Sequence, residues 1–212
     1  MRTIRIMLVI YLLLLPNLVL AVTAESILNQ LENNYKRLAS LTCTVNEVVS
    51  GSWGQVESNY NIKLRMPDNL RAELTDNSLI ITAQGGEVMA YYLKPNKAYL
   101  YTLDNFQGSE AVEILFSFLY ESFDPEYLGI SDGMHKVKLS AKKQDSSPYQ
   151  EIYLWASQDY YIRRLNLDDG HGTIINFSVS DQVLNPTLSD AEFVYTPPAD
   201  CLFLEGGPIK FK

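Results

Sequence analysis

Along this chain the apolar residues first cluster in one run, then recur at three and four, and then alternate. The run is Ile6 to Val22. In Glu25 to Leu41, Ile27, Leu28, Leu31, Tyr35 and Leu38 form one stripe, with Asn29, Gln30, Glu32, Asn33 and Lys36 opposite. That spacing predicts an amphipathic helix. From Tyr60 the period is two. Tyr60, Ile62, Leu64 and Met66 alternate with polar residues, Pro67-Asp68-Asn69 breaks the run, and Leu70, Ala72 and Leu74 resume it. These are half-buried strands. Leu79–Ala83, Val88–Leu93 and Ala98–Leu103 read as further strands, joined by hairpin turns at Gly85-Gly86 and Lys94-Pro95-Asn96-Lys97.

Helical spacing returns once, from Ser109 to Phe123, where Val112, Leu115, Phe116, Leu119, Tyr120 and Phe123 make a broad apolar face. Ser109 is a capping residue and Asp124-Pro125 a stop. Strands follow at Lys136–Ala141, Gln150–Ala156, Tyr160–Leu167 and Gly172–Ser180, with a last short segment at Ala191–Tyr195. No linker or repeat divides the chain. The pattern predicts one α+β domain: a curled antiparallel sheet forming a half-closed barrel, with an N-terminal helix and an inserted lid helix.

The opening run changes where this domain is expected to work. Arg2 and Arg5 precede it, Pro16 and Asn17 interrupt it, and Val22-Thr23-Ala24 closes it. A basic start, a short apolar centre and a small-residue exit predict a secretory signal over residues 1–24, cleaved after Ala24 to leave residues 25–212. At 17 residues the run is at the lower limit for a membrane span. No cysteine lies near the cut, so lipidation of a new N-terminal cysteine is not expected. The mature chain carries 15 Lys and Arg against 25 Asp and Glu. That acidity argues against nucleic acid as a partner.

Candidate chemistry is sparse. His135 and His171 have no second ligand at metal spacing beyond the turn residues Asp168 and Asp169. There is no G-x-S-x-G elbow, phosphate loop, H-E-x-x-H or C-x-x-C motif. No catalytic residue, metal or cofactor is predicted, and the expectation is that the protein is not an enzyme. Cys43 and Cys201 allow two readings, a bridge in an oxidising compartment or two unpaired core thiols. The 14 Tyr and 8 Phe also allow two readings. They fill an ordinary core, or they help line a hollow barrel that holds a lipid under the second helix. On the second reading the lining is Ile62, Leu64, Leu70, Leu74, Tyr91 and Tyr99, and the lid contributes Phe116, Leu119 and Phe123.

Several segments in order resemble the LolA-like family of outer-membrane lipoprotein carriers and lipoprotein-sorting proteins. Ser26 to Leu41 resembles its opening helix and entry to the first strand. Leu64-Arg65-Met66-Pro67-Asp68-Asn69-Leu70-Arg71 resembles its strand–turn–strand, and Gly86 to Pro95 its glycine-to-proline aromatic strand. Ala191-Glu192-Phe193-Val194-Tyr195-Thr196-Pro197-Pro198 resembles its closing stretch. The resemblance implies a periplasmic, monomeric carrier that holds lipoprotein acyl chains or a related lipid in an incomplete barrel. Its partners would be an inner-membrane ABC transporter and an outer-membrane acceptor. A lipid or lipoprotein sensor of the same fold is an alternative, and an exported enzyme a more distant one. In well-known members an arginine that engages the lid precedes the turn proline. Here that position is Met66, and Arg65, one residue earlier, points to the other strand face. Arg65 and Met66 are therefore the lid-latch candidates.

Overall fold

The computed structural model describes residues 22–103, 108–143 and 147–209; the body of the signal run lies outside them. Helix α1 spans Ala24–Lys36. Thr23 caps it, its Oγ1 accepting from the Ser26 N–H at 3.1 Å while the Thr23 N–H donates to Ser26 Oγ at 3.2 Å. Ala24, Ile27, Leu28 and Leu31 are buried, the three-and-four spacing of one face. The helix stops earlier than its periodicity suggests, because from Ser40 the residues Ser40-Leu41-Thr42-Cys43-Thr44-Val45 alternate and extend as strand β1 (Ser40–Gly51).

Strands β2 (Gly54–Arg65), β3 (Asn69–Leu74), β4 (Leu79–Gln84), β5 (Glu87–Tyr92) and β6 (Lys97–Leu103) follow as a meander. Gly85 and Gly86 turn β4 into β5 with φ of +60° and +85°, a two-residue turn that suits glycine. Helix α2 (Gly108–Ser122) then leads into β7 (Phe123–Ser131), β8 (Met134–Ala141), β9 (Glu151–Ala156), β10 (Ile162–Asp168) and β11 (Ile174–Leu184). The Ser109 cap falls outside the described side chains. A short 3-10 turn at Asp190–Glu192 precedes β12 (Leu202–Ile209). Together these make one curled α+β sheet in the order β12-β6-β5-β4-β3-β2-β1-β11-β10-β9-β8-β7, not closed into a barrel.

Three features differ from the sequence reading. Asp124-Pro125 does end the helix, but β7 runs straight through Pro125, because β7 is an edge strand where the missing N–H breaks no essential bond. Ala191–Tyr195 is not a strand: Asp190–Glu192 turns, and the loop lies on the outer face of the sheet. The sheet is mixed, since β12 pairs in parallel with β6.

The two faces of the sheet are covered in different places. On the inner face, α1 and α2 pack over β7 to β10 and bury Phe116, Phe123, Val137, Leu139, Ile152 and Leu154. Tyr120 ties the helices together, its hydroxyl 2.8 Å from Asn29 Oδ1 and 3.1 Å from Glu32 Oε2. On the outer face, the loop before β12 covers β2 to β6. There Ile80, Tyr91, Ala98 and Cys201 form a smaller core with Tyr195. Basic residues fasten this loop. Arg65 bonds Asp190 at 2.6 Å and Leu188 O at 3.2 Å, and its guanidinium lies 4.8 Å from the Phe193 ring centre. Lys63 reaches Glu192 at 3.1 Å, and Arg71 donates to the carbonyls of Glu192 and Val194.

Candidate functional site

Antiparallel register decides which residues share the inner face. Cys43 opposes Ile62, which opposes Ala72, then Ile81, Ala90 and Tyr99. One pair further along, Leu41, Leu64, Leu70, Ala83 and Val88 align in the same way. Tyr60 and Leu74 continue the surface at its other end. This is an apolar trough, and no element of the described chain packs over it as the helices pack over β7 to β10. Ile62, Leu64, Leu70, Leu74 and Tyr99 are all half-buried.

The helices border the trough. Strand β6 ends beside Glu87, at the Leu184 end of β11, whereas β7 begins opposite Ala141, at the Ile174 end. Helix α2 therefore lies on the path from the β6 side of the sheet to the β7 edge; its 15 residues span about 22 Å. Where it passes β1, β10 and β11 it leaves a cavity of about 210 Å³. Leu41, Cys43, Val112, Leu115, Phe116, Ile162 and Val179 line this cavity, with Tyr35 and Gln182. Burial raises the pKa of the Tyr35 hydroxyl, which accepts from the Ile162 N–H at 3.2 Å, and it raises that of the Cys43 thiol as well.

Most of the lining inferred from alternation lies on this face: Ile62, Leu64, Leu70, Leu74 and Tyr99. Tyr91 does not. It opposes Ile80 and Ala98 on the outer face, is 1% exposed, and packs on Tyr195. Its neighbour Tyr92 faces the trough instead. Two adjacent tyrosines gave the alternation no way to choose between them. The lid residues also need correction. Phe123 is the first residue of β7 and fully buried, and Phe116, 2% exposed, is core on one side while edging the cavity on the other. Leu119 is half-buried against the same core. The helix residue that faces open space beside the cavity is Leu115, 50% exposed. Arg65 meets the outer loop, away from the helices, and Met66 stands at the β2–β3 turn, its N–H bonded to Ala39 O at 2.9 Å. Among the described residues neither is bonded to α2. Cys43 and Cys201 are free thiols on opposite faces of the sheet, so the bridge does not form.

The sequence reading also missed Glu47. It shares the inner face of β1 with Cys43 and Val45, half-buried, and accepts from the Tyr60 hydroxyl at 3.2 Å. The Tyr60 pKa is raised, first by burial and then by the Glu47 charge, with a smaller contribution from Tyr92. A single acidic residue within an alternating strand looks like an outward position until the register is known.

A larger cleft, about 680 Å³, lies on the outer face between β4 to β6 and Phe193-Val194-Tyr195. Its walls mix Met89 and Leu100 with Thr82, Gln84, Glu87 and Glu205, unlike the continuous apolar trough. Among the described residues no group of three His, Cys, Asp or Glu side chains stands together at a metal-holding distance. His135 is buried, stacked at 5.2 Å on Tyr160, with its Nδ1 3.1 Å from the Tyr127 hydroxyl.

The open sheet is thus a curled apolar half-barrel bordered on one side by helices. The model of one protein family, outer membrane lipoprotein carrier protein LolA, matches residues 47–196. The chain belongs to the LolA family. Two solved structures share the fold of this chain. An uncharacterized conserved protein from Thermus thermophilus superposes with a TM-score of 0.58 at 14% identity, covering 86% of this chain and 98% of that one. A chain of the Pseudomonas aeruginosa MucA/MucB complex gives 0.52 at 11% identity, covering 85% of this chain and 63% of its own. The LolA superfamily protein NE2245 from Nitrosomonas europaea gives 0.42 at 13% identity over 82% and 99% of the two chains. No curated protein matches the sequence.

Proposed function

We propose that this protein is an exported, periplasmic carrier that takes up the acyl chains of lipoproteins, or of a related lipid, in the trough of β1 to β6. The observation that carries the reading is the uncovered inner face. A folded sheet that leaves this much aligned apolar surface half-exposed has room for a partner that buries it, and each methylene buried contributes about 0.8 kcal/mol. Leu115 and the cavity beneath α2 extend that surface to the helices, so acyl chains entering the trough end against α2. Binding and release need no bond to be made or broken. The protein acts as a carrier and not as an enzyme, receiving cargo from an inner-membrane ABC transporter and yielding it to an outer-membrane acceptor with a better cavity. Because Arg65 is committed to the outer loop, release does not depend on an arginine latch to the helices.

Mass spectrometry of natively purified protein should find co-purified acyl lipid or lipoprotein. A fluorescent fatty-acyl probe should bind the wild type and lose about tenfold in affinity in Leu64→Ser and in Leu74→Ser, a change worth about 1.4 kcal/mol. Unchanged affinity in both variants would remove the trough from the mechanism.

A further inference from the structure

We propose that the end of the trough near the β1–β2 hairpin binds the ammonium group of a lipid head, held between the Glu47 carboxylate and the rings of Tyr60 and Tyr92. The proposal rests on the acyl-binding reading and adds a polarity to it. Along β1 the inner face reads Leu41, Cys43, Val45, Glu47, Val49, so one carboxylate interrupts an apolar row. Its direct neighbours across the strands are Ser58 and Phe177. Among the described residues no cation pairs with it. Lys63, Arg65 and Arg71 point to the outer face and are engaged by the loop and by Glu73. Lys97, beside Tyr92 on β6, makes no ion pair with Glu47.

A half-buried carboxylate in an apolar wall costs desolvation that its single bond to Tyr60 offsets only in part. An incoming cation restores the balance. Aromatic rings are the right companions for one, because a positive charge is attracted to the ring face and a methylated ammonium also buries apolar surface there. Tyr60 donates to Glu47 at 3.2 Å, and Tyr92, opposite Leu79 on the same face of the sheet, is supported edge-on by Tyr99 at 5.8 Å. A phosphate or sulfate at this place would meet the carboxylate instead. The other end of the trough, Leu41, Leu64, Leu70 and Val88, carries no charge and adjoins the cavity under α2. The six strand positions from Leu41 to Glu47 span about 20 Å. A lipid therefore lies with its head at Glu47 and its tail toward α2.

The test uses the full mature protein and two amphiphiles of equal chain length, dodecyltrimethylammonium and neutral dodecyl maltoside, each displacing the acyl probe below its micellar concentration. Wild type should bind the ammonium compound about tenfold more tightly. Glu47→Gln should remove that preference and leave maltoside binding unchanged, Tyr60→Leu should reduce it several-fold, and Lys97→Gln should preserve it. Thermal melts establish that each variant is folded, and should one fail, the other carries the test. Equal affinities in wild type, or a preference that survives Glu47→Gln, overturn the head-group site while leaving acyl binding intact. If the probe itself does not bind, the acyl-binding reading falls and takes this one with it.

Discussion

The inner face of the sheet has two halves built from the same alternation with opposite fates. Over β7 to β10, Val137, Leu139 and Leu154 are at most 1% exposed beneath α1 and α2. Over β1 to β6, Ile62, Leu64 and Leu74 have the same residue types and the same periodicity, and remain half-exposed. The difference lies in what covers them. Among the described residues, two helices cover one half, and the loop before β12 covers the opposite face. In the first half apolar residues hold the fold together; in the second they stay half-exposed on the open face.

The sharpest way to break this comparison is to truncate matched residues in the two halves. Leu154→Ala should cost about 3 kcal/mol in chemical denaturation, as expected for a cavity in a close-packed core. Leu74→Ala should cost less than about 1 kcal/mol, because its surroundings are already open. Equal losses would mean that the trough is ordinary core. Within α2 the same contrast separates neighbours. Phe116→Ala should destabilise by about 3 kcal/mol, whereas Leu115→Asp should change stability by no more than about 0.5 kcal/mol and weaken acyl-probe binding. Cover itself can be weakened at its start. A form beginning at Glu25 lacks both the Thr23 cap and the buried Ala24, and should melt earlier than one beginning at Val22 by the equivalent of about 1 kcal/mol. Mass measurement of the exported protein shows which form the cell makes.

The smallest effect is acid sensitivity on the outside of the sheet. Glu151 is held below the usual carboxylate range mainly by its hydrogen bond from Lys138, Asp169 by the backbone N–H groups of Thr173 and His171, and Glu192 by the Ser189 N–H. Groups whose folded pKa is depressed contribute stability that is present above their unfolded values, near 4, and lost as pH falls through the lower folded ones. Denaturation midpoints should therefore decline gently below about pH 4. Because these groups are only half-buried and lie away from the trough and the core, the decline should be slight and the same in trough and core variants.

Much of this molecule was legible in its residues. The stripe from Ile27 to Leu31, the alternation from Tyr60 to Leu74 and the greasy segment around Phe116 located both helices and most of the strands. Five of the six residues named as lining share the inner face. What failed did so for identifiable reasons. Tyr91 and Tyr92 are chemically alike, and only the pairing of Tyr91 with Ala98 decides that the first points outward. Phe123 belongs to the helical pattern in sequence, yet the backbone changes to strand at that residue. Glu47 looks solvent-facing in isolation. The outer loop could not be placed at all, because Arg65, Lys63 and Arg71 meet residues more than a hundred positions away.

By itself the sequence determined the apolar run at its start, the periods of its elements, the acidic balance and a resemblance carried by ordered short segments, since these depend on residues near one another in the chain. Only the tertiary structure decided which apolar surface is covered and which stays open. Coverage depends on where α2 crosses and where the loop before β12 lands, and both are set by strand order and register across the whole sheet. Local periodicity marks a face as apolar, whereas the long-range topology determines whether another part of the chain packs against it.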